Sequence, residues 1–291
     1  MLSTPDDGRL SAGGVALLAA LGVALVVAGA FVKLGGLDVR WMLAAHAQPH
    51  APFAIVAWSC LTVLGLGWSA LIGVLAADRR SGRLATMLMA TFIIGGLLAH
   101  VPKRLLHVPR PAATDVFPHL HVIGQVFSGA VSMPSGHAVT AAAMLGLLWV
   151  VSARARRWPV AVPLALLAVL IAVSRVMVGA HWPSDVLVGS GVGLLAVVLA
   201  AATLAWPRTR RLHEGLRARI GTPIGQGCVG AVEVALAYGL LHERTGYPAA
   251  QPLVVVVAAV AVGSALLRWV GVLRARKAAA VPAEPPHLEQ P

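Results

Sequence analysis

The sequence predicts an all-α fold, a polytopic bundle of transmembrane helices, on three observations. Of its 291 residues, 58% are hydrophobic and 12% charged, against about a quarter charged in an ordinary soluble domain. Apolar runs recur at about 11–32, 53–77, 83–101, 137–152, 159–178, 186–206 and 253–273, with an eighth at 221–241; roughly 20 residues suffice to cross a bilayer. The 23 Lys and Arg residues gather mostly in the short polar stretches between runs, so the net charge of +12 reads as an orientation signal and not as a nucleic-acid-binding surface.

In the first run, Ala28-Gly29-Ala30 imitates a signal-peptide cleavage site. Yet Asp6 and Asp7 accompany the single upstream cation Arg9, and the run is long enough to span, so a first transmembrane helix is expected. The runs to residue 206 give a six-helix domain, 1–206. Residues 207–219, with Arg208, Arg210, Arg211, Arg217 and Arg219, read as a basic cytoplasmic linker. A C-terminal helical pair is expected over 220–277. Its first member carries Glu233 and five glycines, and a carboxylate in a membrane is costly unless paired. Residues 278–291, rich in Pro and Ala without periodicity, read as a disordered tail. Cys60 and Cys228 lie within apolar runs as small hydrophobes and suggest no disulfide framework. Trp41, Trp58, Trp182 and Trp206 fall near run ends, as interfacial aromatics do.

Eight crossings place sixteen of the 23 Lys and Arg on one face and seven on the other. The positive-inside rule puts the first face, with both termini, in the cytoplasm. Three polar sentences then share the outer face.

The first sentence runs from Lys103 to Pro111. Lys103 and Arg110 are seven residues apart, two turns if the segment stays helical, with Pro109 and Pro111 stopping or kinking the helix around Arg110. An Arg fork suits bidentate contact with phosphate oxygens, and Lys acts as a point charge. The second, Pro134-Ser135-Gly136-His137, precedes an apolar helix that Ser135 is expected to cap; free N–H groups there favour an anion, and Gly136 permits close approach of a ligand. His137 is placed to donate a proton to a leaving oxygen. In the third, Ser174-Arg175 is followed by His181 and Asp185, spaced four apart around Pro183. A carboxylate bonded to one imidazole nitrogen leaves the other free to attack. Singly, each sentence also suits an interfacial anchor or a helix cap; together they are a cluster of ionisable groups at a membrane, which is a functional site by default. Asp115, His119 and His121, in the loop between the first two sentences, lack the further ligands of a metal site and read as a solvated, headgroup-contacting lid.

In order and spacing these residues resemble the tripartite signature of the type 2 phosphatidic-acid phosphatase and vanadium haloperoxidase superfamily: Lys-x6-Arg-Pro, Pro-Ser-Gly-His and Ser-Arg-x5-His-x3-Asp. The resemblance covers about 53–206 and leaves the segment after about 220 outside the common core. It implies a helical membrane bundle with no metal or other cofactor. It further implies that His181 is the nucleophile forming a phosphohistidine, that Asp185 orients it, and that His137 is the general acid. Lys103, Arg110, Ser135, Gly136 and Arg175 are expected to hold the phosphoryl oxygens. The implied protein is a multi-pass inner-membrane lipid phosphatase acting at the outer face on phosphatidic acid, phosphatidylglycerol phosphate, an isoprenyl diphosphate or a lipid A phosphate. Two alternatives are a lipid phosphotransferase using the same pocket and a carrier that binds lipid phosphate without cleaving it. The pair His137 and His181 argues against the carrier, since binding alone requires neither acid nor nucleophile.

Overall fold

In the computed structural model, residues 12–78, 82–151 and 158–279 are described, and they form helices joined by short turns and one long loop. The helices are α1 (Ala12–Leu34), α2 (Leu37–Ala45), α3 (Pro52–Leu64), α4 (Gly67–Ala77), α5 (Arg83–Leu106) and α6 (Gly136–Val151). The series continues with α7 (Trp158–Met177), α8 (Pro183–Ala205), α9 (Pro207–Gly221), α10 (Pro223–His242) and α11 (Gln251–Ala279). Among the described residues, six spans, built on α1, α5, α7, α8, α10 and α11, are long and apolar enough to cross a membrane. Large apolar side chains such as Phe31, Phe53, Leu97, Leu166 and Val256 lie exposed on the outside, as a bilayer solvent requires.

Several expected boundaries shift. The run 53–77 is two helices, α3 and α4, bent by 66°, the break falling at Gly65 and Leu66 before Gly67. The short helix α2 was not anticipated: nine residues are below bilayer length and follow a left-handed Gly36. The basic stretch 207–219 is itself helical as α9, started by Pro207 at the first turn, a position that needs no N–H donor. Arg210 and Glu214 pair along it at 3.4 Å. The expected tail lies outside the described residues except for its first two, which end α11.

Helix α8 is the central strut, and glycine is what lets its neighbours approach. A side chain on Gly191 would come within 2.5 Å of the Gly22 carbonyl of α1, and one on Gly193 within 2.3 Å of the Val139 carbonyl of α6. In lipid no hydrophobic difference drives helices together, so such close backbone packing supplies the attraction instead. A second core joins α3 and α4 to α10 and α11 through Val63, Ile72, Leu236, Leu240, Val254 and Ala258.

The N-termini of α5 and α8 are held by carboxylates from elsewhere in the chain. Asp78 accepts from Gly82 N at 3.1 Å and from Ala85 N at 2.9 Å. Asp38, on α2, accepts from Ser184 N at 2.8 Å and Ser184 Oγ at 2.7 Å. Both satisfy amides that a helix start leaves free and complement its dipole. The second places the turn between α7 and α8, where the third polar sentence lies.

Candidate active site

That turn is wound tightly around the Arg175 carbonyl, which accepts from Ala180 N at 3.0 Å and His181 N at 3.1 Å. Gly179 has φ 75°, and a side chain on it would meet Val122 at 2.8 Å. Pro183 then opens α8. Asp185, in the first turn, accepts the Trp182 N–H at 2.9 Å through Oδ2. The same oxygen accepts the Ser132 hydroxyl and stands 3.4 Å from His181 Nδ1, while Ser132 Oγ lies 3.4 Å from that nitrogen too. At 3.4 Å the direct histidine–carboxylate bond is long, and Ser132 braces both groups. With Nδ1 facing Asp185, Nε2 is the nitrogen turned away.

His181 is 2% exposed. Burial, and after it the cations of Arg175, Arg110 and Lys103, push its imidazole well below the ordinary 6.5 and so hold it neutral and nucleophilic at neutral pH.

The first sentence reaches this turn by a different route from the one its spacing suggests. Lys103 is in the last turn of α5, but the helix ends at Leu106, and His107 has a left-handed φ of 48°. Arg110 is therefore in extended backbone (φ −73°, ψ 159°) and not two helical turns beyond Lys103. Proline is the reason, since a residue preceding it is steered away from the helical region, and both Val108 and Arg110 precede one. The extended segment is pinned by Arg110 N to Gly129 O at 2.8 Å and Ser132 N to Val108 O at 2.9 Å. Trp182 Nε1 donates to Pro109 O at 2.8 Å, and Arg110 Nη1 donates to Ala180 O at 3.0 Å. Lys103 is half-buried and within electrostatic reach of Arg110, Arg175 and Asp185.

The second sentence is tied to the third by Ser135 N donating to the Asp185 carbonyl at 3.0 Å. Ser135 does not act as the expected side-chain cap: its hydroxyl is buried without a partner among the described residues, as is His137 Nε2. Apart from its chain neighbours and the backbone of its own helix, no atom among the described residues lies within 4 Å of where a Gly136 side chain would stand. The Ser135 hydroxyl and His137 Nε2 are thus buried polar atoms left without a partner among the described residues, beside the start of α6, where a helix N-terminus favours negative charge.

Arg175, 2% exposed near the end of α7, closes the arrangement. Its Nη1 donates to the Tyr247 hydroxyl at 3.1 Å, and its buried Nε is without a partner among the described residues. The Phe127 ring centroid lies 5.1 Å from the Arg110 guanidinium carbon and 5.8 Å from that of Arg175, so one aromatic ring serves both cations. The structure therefore gathers parts of all three sentences at one end of the bundle. The sequence reading missed Ser132, Phe127 and Tyr247. The first two lie in irregular loop without a recurring spacing, and the third lies far downstream between α10 and α11. His121 lies apart, bonded through Nδ1 to the His46 carbonyl at 2.8 Å.

Residues 83–211 match the PAP2 superfamily, a match that begins with α5 and leaves out α3 and α4. The chain is 33% identical over 148 residues to a lipid A 1-phosphatase of Rhizobium etli, covering 44% of this chain and 59% of that protein. It is 34% identical over 146 residues to a lipid A 1-phosphatase of Rhizobium johnstonii, covering 44% of this chain and 55% of that protein. The chain thus spans less than two thirds of the length of these curated relatives. The crystal structure of Aquifex aeolicus LpxE superposes with a TM-score of 0.49 at 22% identity, covering 56% of this chain and 94% of that one.

Proposed function

For a chain that belongs to the PAP2 superfamily through residues 83–211, we propose the function of a membrane lipid phosphatase that cleaves a phosphate monoester or diphosphate by way of a phosphohistidine. The observation that carries it is the neutral, buried His181 braced by Asp185 and Ser132, with the cations Lys103, Arg110 and Arg175 within electrostatic reach of it. Three cations against the one carboxylate of Asp185 leave the positive charge in excess that a phosphate dianion and its transition state require.

Nε2 of His181 attacks phosphorus, forming the N–P bond as the P–O bond to the lipid breaks, and His137 protonates the departing oxygen. Asp185 stabilises the charge that develops on the imidazole through Nδ1–H. A water molecule then gives a proton to His137 and displaces the histidine, releasing orthophosphate and restoring both side chains. Throughout, Lys103, Arg110, Arg175, the Ser135 hydroxyl and the Gly136 N–H hold the phosphoryl oxygens. The charge distribution of the loops supports an outward-facing site in an inner membrane. The two lipid A 1-phosphatase relatives make lipid A the first substrate to try.

The test is phosphate release in detergent and EDTA from lipid A, phosphatidic acid, phosphatidylglycerol phosphate and an isoprenyl diphosphate. The expected result is EDTA-resistant release by the wild type, lost in His181→Ala and His137→Ala, and an acid-labile phosphoenzyme trapped in wild type and absent from His181→Ala. Release that EDTA abolishes, or that survives in His181→Ala, would overturn the mechanism.

A further inference from the structure

Tyr247 belongs to the connection between α10 and α11, far outside the PAP2-matching residues 83–211, yet its side chain ends on the most deeply buried cation of the site. It is 3% exposed, and its hydroxyl accepts from Arg175 Nη1 at 3.1 Å. The connection is seated firmly. The Gly246 carbonyl accepts from Gln125 N at 3.0 Å. A side chain on Gly124, whose φ is 72°, would run into that carbonyl at 2.4 Å and the Tyr247 ring at 2.7 Å. Tyr247 also belongs to one core with Ile123, Val178, Ala180 and Leu240, a core that includes residues of the loop carrying Phe127 and of the turn carrying His181.

We propose that Tyr247 is a positioning residue for phosphate binding: it holds the Arg175 guanidinium in register while leaving its charge uncancelled. A buried guanidinium needs acceptors for its N–H groups. A carboxylate would supply them, but it would also neutralise the charge and compete with a phosphate for the same fork. A phenol oxygen satisfies one N–H as a neutral acceptor. The ring, 5.9 Å from the guanidinium carbon, adds a cation–π contact that does not occupy the fork. Nε is left buried and unpaired among the described residues, ready for an oxygen of the ligand. On this reading the C-terminal helical pair completes the phosphate site from outside the family segment.

The inference rests on the proposed role of Arg175, so the experiment separates the two. Tyr247→Phe keeps the ring and removes only the acceptor. Its kcat/KM is expected to fall, and its inhibition constant for orthovanadate to rise, about tenfold, as for one lost hydrogen bond to a charged group. In an Arg175→Lys background the same change is expected to cost less than about twofold, because the coupling runs through the guanidinium. Wild-type kcat/KM and vanadate inhibition in Tyr247→Phe, measured below its melting temperature, would overturn the inference and leave the Arg175 reading intact. So would an equal loss in the Arg175→Lys background. Wild-type activity in Arg175→Ala would instead remove the site reading, and the inference with it.

Discussion

Two arginines buried in this molecule are treated in opposite ways. Arg268, 6% exposed on α11, donates to Glu233 Oε2 at 3.0 Å, to the Gln226 amide oxygen at 2.5 Å and to the Asp78 carbonyl at 2.9 Å. Arg175, 2% exposed, has a tyrosine hydroxyl, two aromatic faces and an unpaired Nε among the described residues. Arg268 gathers the end of α4 near the N-terminus of α5, while Arg175 is within electrostatic reach of Lys103 near the other end of that 24-residue helix, about 30 Å along its axis at 1.5 Å per residue. A buried charge that serves the fold is saturated with partners, because leaving it bare costs several kcal/mol. In the proposed site, the unpaired Nε of Arg175 is the valence assigned to a phosphate oxygen.

The largest effect that sharpens this contrast is expected at the unsaturated end. His181→Ala removes the proposed nucleophile and should lower kcat on the order of 10⁴-fold or more, with a thermal midpoint in detergent near that of wild type. Arg175→Ala should lower kcat/KM about 10²–10³-fold, the usual loss for a group aimed at transition-state charge; a change under tenfold would break the comparison. At the saturated end the order reverses. Glu233→Gln strips the counter-ion from Arg268 and should destabilise the fold by about 3 kcal/mol, read as a lower midpoint for thermal unfolding, while activity per folded molecule stays at the wild-type level. Loss of activity without loss of stability would sink the division of labour.

The smallest effect is on pH. Since burial and nearby cations depress the His181 pKa below 6.5, the reactive neutral form persists as pH falls, and the acid limb of kcat/KM should lie below that value. Arg110→Gln removes one of those cations, so the folded-state pKa climbs and the limb should move to higher pH, by about one unit for roughly 1.4 kcal/mol of lost interaction. Comparing both proteins on one substrate cancels the substrate's own titration. An unmoved limb would mean that His181 is not the group titrating.

How much was legible in advance varies along the chain in a physically sensible way. The six long helical spans follow from composition and run length, because a bilayer demands long apolar segments whatever surrounds them. Glu233 could be singled out as needing a partner, but its finding one in Arg268, 35 residues on, required two helices to pack at a particular rotation. The bend between α3 and α4, the short α2 and the helical α9 escaped because they depend on local breaks and end contacts that an apolar run does not encode. In the site, the polar sentences announce themselves by spacing and by their position at run ends. Ser132 and Phe127 do not, since a single loop residue carries no period.

By itself, then, the sequence determined that this chain is a helical membrane protein with cations, imidazoles and a carboxylate at helix ends, because apolar length and local polar motifs are one-dimensional quantities. Only the tertiary structure decided that Arg110 arrives on extended backbone, that the Ser135 hydroxyl stays unbonded among the described residues, and that Tyr247, 72 residues from Arg175, meets its guanidinium. Those outcomes depend on where distant backbones come into contact, here through glycine-lined faces of α8 and the seated connection at Gly246. No spacing along the chain carries that information.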